Sequence, residues 1–464
     1  VNSSHRTRRR FLKTTVGLLA AGFSGPSFLR PAGAAADVVY VETPLQTDLS
    51  QIDFTRSDRF RIGVIGLRHQ GSVIAENALP EGDVVVMCDV DRKVAEMAQQ
   101  RLGGKADICE DYRTVLDRPD IDAVMIAVPD HWHTAIAIAA CRAGKAVYCE
   151  KPLTLTIDEG KRLCQVVQET KAVFQVGTWQ RSDARFRLAA ELVRQGRLGK
   201  LRKVTVTLGK NTTGGPFATE PTPPHLNWNL WLGQAPVVEY CPQRCHNRFR
   251  FWFEYAGGQM TDWGAHHVDI AQWAMGMERS GPVSIDGRGK LPQVPQGYNV
   301  PIDFEATLVY PNGIVMEIRD TGRAGILFEG DEGRIFVNRG VLSGKPVEQL
   351  ADKPLPESDY ILYEHDDRQR ERRASNEEFE LAGNYRPIAN HVANFFDCVR
   401  TKNTPISDVV SQHRAASTCH LVNISIRLGR KLTWDPQQET FVGDPEANRY
   451  LTREQRKGFE ISAG

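Results

Sequence analysis

Three short stretches carry the residue types that proton chemistry requires: Pro129-Asp-His-Trp-His133, Glu150-Lys151-Pro152 and Asp262-Trp-Gly-Ala-His266. Taking the proton from an alcohol hydroxyl needs a base within hydrogen-bond reach of that oxygen. Histidine titrates close to neutral pH, and burial or nearby positive charge can bring a lysine there. Asp262 and His266 are four residues apart, so on a helix they share one face. Asp262 then either orients the ring of His266 or binds a substrate hydroxyl, while Lys151 polarises the substrate oxygen or relays its proton. The final proton acceptor is left open between Lys151 and His266. The same residues have plainer uses, because Asp caps helices well and a lysine before proline is commonly solvated.

Around them stand weaker candidates. Trp132 reads as a wall beside a bound ring, with His131 and His133 as polar lining or as caps of the next helix. Two histidines do not close a metal site. Nor does Cys241-x-x-x-Cys245 beside His246, which lacks a second ligand pair at a set distance, so no metal is expected. Arg181, just past Gly177-Thr-Trp-Gln180, is a candidate substrate contact. Trp252 is another, within an aromatic-rich run that includes Trp228, Trp231, Phe249 and Phe251. Such faces suit a carbohydrate, and core packing is the alternative.

These residues need elements to hold them. Phe60–Gly66 is a short apolar run ending in glycine, as a buried parallel strand does. The turn Gly66-Leu-Arg-His-Gln-Gly71 leads into a helix over Ser72–Leu79, and Asp83–Cys88 is a second buried strand ending at Asp89. An acid about 20 residues past a glycine turn, at the tip of the second strand, is what a dinucleotide fold uses to bind ribose hydroxyls. The middle glycine of G-x-G-x-x-G is replaced by Arg68, which either turns away or reaches the phosphates. Asp89 favours NAD over NADP, since a carboxylate repels a 2′-phosphate and no Arg follows until Arg92. Strand and helix then alternate: strands Ile121–Val128, Ala146–Cys149 and Val173–Val176, helices Thr134–Ala143 and Ile157–Thr170. That alternation predicts a parallel sheet with its ligand crevice at the strand C-termini, where Asp89, Pro129–His133 and Glu150–Pro152 all fall.

Past residue 180 the pattern changes. Leu201–Leu208 is a half-buried strand, and Thr212–Trp231 is a long Pro-, Gly- and Trp-rich loop. Asp303–Tyr310 and Gly313–Arg319 form a hairpin around Pro311-Asn312, and residues 325–338 give two more strands. Tyr363–Glu380 is a mixed-charge insertion, and helices Ile388–Arg400 and Asp408–Gly429 follow, packing against both domains.

Together, Val128-Pro-Asp-His-Trp-His133, Cys149-Glu-Lys-Pro152 and Gly257-Gly-Gln-Met-Thr-Asp-Trp-Gly-Ala-His266 resemble the Gfo/Idh/MocA oxidoreductase family, from about Arg59 to the Ile424–Leu432 segment. The resemblance implies an α/β chain with a Rossmann-type, parallel-sheet, nicotinamide-binding N-terminal domain over 58–180. It also implies a C-terminal α+β domain over 181–432, on an open, mostly antiparallel sheet that supports the substrate site or an oligomer interface. Lys151 then matches the catalytic lysine, and Asp262 and His266 face the substrate. Gly66, Gly71 and Asp89 match cofactor contacts, which Arg68, Pro129, His133, Glu150 and Lys151 would join. A nicotinamide takes the hydride in such chemistry. The implied activity is an NAD(P)-dependent dehydrogenase acting on a sugar, polyol or glycoside hydroxyl, in a homo-oligomer. Alternatives are redox-assisted cleavage of a glycoside and non-catalytic sugar binding.

The remaining segments are a polar arm, 37–57, a tail, 433–464, and residues 1–36, which hold six basic residues and no acid. Thr7-Arg-Arg-Arg-Phe-Leu-Lys13 resembles the twin-arginine export motif. Val16–Phe23 is apolar but too short for a bilayer, which takes about 20 apolar residues, so no stable membrane insertion is expected. Ala34-Ala-Ala36 fits a cleavage site, which makes a periplasmic or otherwise exported protein, carried by the twin-arginine machinery, the expectation. Nine cysteines are scattered through the chain and fit no disulfide framework. Among 464 residues, 58 Lys and Arg face 57 Asp and Glu, a formal charge of +1, which excludes a generally basic nucleic-acid binder.

Overall fold

The computed structural model describes residues 58–353 and 385–461. The export motif, the arm and the charged insertion at 363–380 lie outside the described residues.

The first sheet has six strands in the order β3-β2-β1-β4-β5-β6. They are β1 (Phe60–Ile65), β2 (Gly82–Cys88), β3 (Asp107–Cys109), β4 (Ala123–Ile126), β5 (Ala146–Cys149) and β6 (Phe174–Val176), and every neighbouring pair is parallel. Such a sheet is covered on both faces, which is why its central strands read as unbroken apolar runs. Ile62, Val64, Ala123 and Met125 pack with the helices His69–Ala78 and Tyr385–Thr401. Ile65, Val124 and Ile126 pack on the other face with Asp130–Arg142 and Ile157–Thr170.

The expected helix Thr134–Ala143 begins earlier, at Asp130. Pro129 presets its entry with φ −59°, and the amide of Trp132 donates to the Pro129 carbonyl. The Asp-His-Trp-His run is therefore the first turn of a buried helix and not a loop. The helix after the glycine turn likewise begins at His69, ahead of the expected Ser72.

The second sheet has nine strands in the order β13-β12-β11-β7-β10-β9-β8-β14-β15. In chain order they are β7 (Leu201–Thr207), β8 (Ser284–Gly289), β9 (Phe304–Val309), β10 (Val315–Arg319), β11 (Gly325–Gly330), β12 (Arg334–Val337), β13 (Leu342–Ser343), β14 (Leu432–Asp435) and β15 (Thr440–Phe441). All neighbours are antiparallel except β7 and β10. β9 alternates, with Phe304, Ala306 and Leu308 inward and Glu305 and Thr307 outward, as expected for a sheet covered on one face. The helices Ala184–Arg194, Gly264–Ala274 and Val409–Leu428 cover that face.

Val409–Leu428 joins the two halves. Asp408 caps it through the amides of Val410 and Ser411, and Gly429 ends it at φ 65°. Val409 and Ala416 enter the core of the first domain, while Cys419, Leu421, Val422, Ile424 and Ile426 enter that of the second. Among the described residues, no helix is long and apolar enough to cross a membrane.

Candidate functional site

The crevice opens where β1, β2, β4 and β5 end. Gly66 sits there at φ +85°, and a Cβ on it would lie 2.4 Å from the Ala127 carbonyl oxygen. A Cβ on Gly71 would lie 1.9 Å from the Gly66 carbonyl oxygen, so strand, turn and helix close only with glycine at both positions. Asp89 stands beside the turn. Its carboxylate accepts from the amides of Leu67 (2.8 Å) and Asp91 (2.9 Å). Burial pushes its pKa up to about 6, against those two hydrogen bonds. A pyrophosphate at the N-terminus of His69–Ala78 and a ribose at Asp89 suit this shape, so the residues fit a dinucleotide. Arg68 turns away. It donates to Asp91 (2.7 Å) and to the ring of His246 (3.1 Å), and His225 also contacts Asp91 (2.8 Å). The Arg68 side chain thereby ties the second domain to the edge of the crevice instead of lying over the turn.

Lys151 follows β5, and its peptide bond to Pro152 is cis. Its Nζ donates to Asp262 Oδ1 at 2.5 Å across the crevice. Arg250 approaches the same oxygen at 3.4 Å. Burial alone would raise the Asp262 pKa, but Lys151 and Arg250 outweigh it and hold the carboxyl below its usual range. Glu150 accepts from Gln70 (2.9 Å) and from the Lys151 amide (3.2 Å), and burial pushes it up to about 7 against the charge of Lys151. Burial raises Asp130 to about 7 as well, despite Arg250. His133 donates through Nδ1 to the Pro152 carbonyl (2.6 Å), which fixes the backbone that carries Lys151 and leaves its buried Nε2 without a partner.

Asp262 and His266 do not share one continuous helix. Asp262 ends a short helix, Gln259–Asp262, and His266 lies in the next, Gly264–Ala274. Asp262 therefore holds Lys151 and does not orient the ring of His266. His266 packs between Trp179 and Trp263, with centroids 5.8 and 6.3 Å away, and its Nδ1 has no partner. Burial, then the charges of Arg339 and Lys151, push its pKa well down, so the ring is neutral.

Three expected substrate contacts point elsewhere. Trp132 is buried against Tyr112 and Phe459, and its Nε1 donates to the carbonyls of Leu230 and Trp231. Its helix starts early, which turns the ring into the core and away from the crevice; His131 is likewise buried, donating to the Trp231 carbonyl (2.9 Å). Trp252 stacks under Arg244, 3.8 Å from the guanidinium carbon, within the packed aromatic cluster of Phe217, Phe251 and Tyr298. Arg181 is buried on Asp269 in a forked pair, with contacts of 2.5 to 3.1 Å, and on the Ile406 carbonyl. A fully buried guanidinium needs such a partner, and with each of its three nitrogens engaged inside the protein it does not face the crevice. Cys245 faces Tyr240, and His246 faces Arg68. Among the described residues, no three His, Cys, Asp or Glu side chains converge as metal ligands.

Sequence reasoning overlooked Arg250, Gln70, Trp179 and Arg339. Arg250, Trp179 and Arg339 are single residues in runs that lack the spacing of a motif, and Gln70 fills a variable position of the glycine turn, so only the fold brings them to Lys151, His266 and Glu150.

A sheet with a dinucleotide cradle, closed by a second domain that places an acid on a crevice lysine, defines a nucleotide-dependent enzyme of the two-domain oxidoreductase class. Residues 60–178 match the description "Oxidoreductase family, NAD-binding Rossmann fold", and residues 182–384 and 379–461 match "Oxidoreductase family, C-terminal alpha/beta domain". The chain belongs to the Gfo/Idh/MocA family. Similar curated proteins include myo-inositol 2-dehydrogenase of Thermotoga maritima, 25% identical over 60% of this chain and 75% of that protein. Levoglucosan dehydrogenase of Pseudarthrobacter phenanthrenivorans is 29% identical over 54% of this chain and 64% of that protein. The match thus spans less than two thirds of the latter. A solved levoglucosan dehydrogenase in complex with NADH and levoglucosan shares the fold, with a TM-score of 0.59 at 19% identity, covering 81% of this chain and 99% of that one.

Proposed function

We propose that the chain is an NAD-dependent oxidoreductase that moves a hydride between a sugar or polyol hydroxyl carbon and the cofactor. The observation that carries this reading is Lys151 held on Asp262 at the mouth of the glycine-turn crevice. The names of the relatives support the substrate class. When bound, a nicotinamide supplies the hydride acceptor. Lys151, fixed by Asp262, hydrogen-bonds the substrate oxygen. The hydroxyl proton leaves as the C–H bond breaks, to Lys151 or to the neutral ring of His266, whose Nδ1 has no partner. The acid at Asp89 supports NAD over NADP.

Export belongs to the same proposal. It is supported by the order of basic motif, apolar stretch and small residues in 1–36. A twin-arginine route would carry the enzyme out folded with its nucleotide already bound. A homo-oligomer is proposed through the exposed face of the second sheet.

Native mass spectrometry of the purified protein is expected to show one NAD(H) per chain. A panel of sugars, polyols and glycosides should then reduce the bound cofactor, and Lys151→Ala should slow that reduction by at least about a thousandfold. Unchanged turnover in Lys151→Ala would overturn the assignment. A glycoside cleaved without net NADH would show transient oxidation followed by elimination instead.

A further inference from the structure

Arg339 stands on the turn between β12 and β13, far in sequence from every motif above. The turn is rigid. Asn338 Oδ1 accepts from the amides of Gly340 (3.0 Å) and Val341 (2.9 Å), and its Nδ2 donates to the Ala324 carbonyl (3.1 Å). From it the guanidinium slots between two indoles, 4.3 Å from the ring centre of Trp179 and 4.3 Å from that of Trp263. These are the two rings that flank His266. Its Nε is buried without a hydrogen-bond partner, and among the described residues it forms no ion pair.

Arginines drawn even partly out of water usually meet a carboxylate, a carbonyl or a phosphate, because a desolvated cation without a partner is unfavourable. Arg181 and Arg453 follow that rule, on Asp269 and Glu159. Arg339 does not. The carboxylates near it are engaged: Asp262 by Lys151, and Asp183 by Arg185 at 2.6 Å. Burial lowers its pKa to about 10, against the pull of Asp262 and Asp183, so it stays charged in any ordinary buffer. The substrate end of the crevice therefore holds Lys151, Arg250 and Arg339 against the ionised Asp262, with Glu150 and Asp130 only partly ionised near neutral pH.

We propose that Arg339 is the recognition residue for an anionic substituent on the substrate, so that the preferred substrates are acidic sugars, carrying a carboxylate or a phosphate, over neutral ones. The inference rests on the oxidoreductase reading and narrows it. The indoles fix the plane of the guanidinium, and an oxyanion completes the hydrogen bonding of its unpartnered edge. A charge-assisted contact of this kind is strong and directional.

The test is calorimetric titration of the full chain, saturated with NADH, with matched pairs: glucuronate and glucose, galacturonate and galactose, gluconate and glucitol, glucose 6-phosphate and glucose. At least one acidic member is expected to bind about ten- to hundredfold more tightly than its neutral partner, and the pairs separate the carboxylate from the phosphate source. Arg339→Gln should remove that preference, and Arg339→Lys, which keeps the charge without the fork, should restore part of it. Thermal melts and NADH titration of both variants check that fold and cofactor site persist. Neutral sugars binding as tightly as acidic ones, no acidic sugar binding at all, or a preference that survives Arg339→Gln would each overturn the inference. Lys151-dependent oxidation of neutral sugars alone would sink this inference and leave the oxidoreductase reading standing. A protein that binds no nicotinamide would lose both.

Discussion

Asp262 is 111 residues from Lys151 in the chain and 2.5 Å from it in the fold. With the carboxylate gone, Lys151 loses its anchor while its own charge remains, so Asp262→Asn should lower kcat at least about a hundredfold with little change in NADH affinity, read by stopped-flow and by fluorescence titration. Beside this pair, burial raises Glu150 from 4.5 to about 7. The sign follows directly. A carboxyl with a raised folded-state pKa stabilises fully below its unfolded value near 4.5, and that stability drains away as pH rises through about 7. In the cofactor-free protein, wild type should therefore lose stability relative to Glu150→Gln between pH 5 and 8, by the order of 2 kcal/mol, seen as converging or crossing urea midpoints. Curves that stay parallel across that range would show that Glu150 does not titrate there. Lys151, Asp262 and Asp89 were legible because each ends a strand or closes a motif whose spacing carries information. Arg339 and Arg250 were not, because one arginine on a turn or a short 3-10 helix looks like any solvated charge until the fold sets it beside Asp262 or His266.

Trp132 shows where elements mislead. Its position beside a strand end suggested a crevice wall, but the helix Asp130–Arg142 starts early enough to rotate the ring into the core. Gly233 marks the fit, since a Cβ there would lie 2.4 Å from the indole. Trp132→Ala should cost about 3–5 kcal/mol by denaturant unfolding while leaving NADH affinity within a few fold, and a variant of full stability but impaired substrate binding would restore the wall reading. The Arg181–Asp269 pair ties the crossing between domains to the helix Gly264–Ala274. Arg181→Met strands a buried carboxylate shared only with Gln412, so a loss of about 3–5 kcal/mol is expected there, with Asp269→Asn recovering part of it in the double variant. The long apolar strands and the capped helices Ile157–Thr170 and Val409–Leu428 were readable from period and punctuation. β3 and β13 to β15, two to four residues each, are too short to show a period, and β8 carries two glycines among its six residues.

At the scale of the whole molecule, the chain does not build its two halves in sequence order. The parallel sheet lies within residues 60–176, yet one of its faces is sealed by Ile388, Val392, Phe395, Phe396 and Val399, more than 200 residues later. Phe395 meets Tyr148 ring to ring at 5.9 Å, and Phe396 meets Phe60 at 5.1 Å. His391 donates to the Val176 carbonyl (2.8 Å), while its own carbonyl accepts from Gln175 (2.7 Å), so even the last strand's polar groups are completed from afar. The chain end returns too: Ile461 enters the same domain's second core, and Arg453 pairs with Glu159 at 2.7 Å. A fragment of residues 58–180 would thus expose a broad apolar sheet face, which soluble proteins do not tolerate without a partner. Expressed alone, it should aggregate or bind a hydrophobic dye without a cooperative melt, although it contains Gly66, Gly71 and Asp89. The full chain should unfold in one transition, with near-ultraviolet dichroism and loss of NADH binding superimposed, because Val409–Leu428 is packed into both cores and cannot leave one without the other. A soluble 58–180 fragment that melts cooperatively and binds NADH would show that the late helices decorate the nucleotide domain; an insoluble one would show that they complete it.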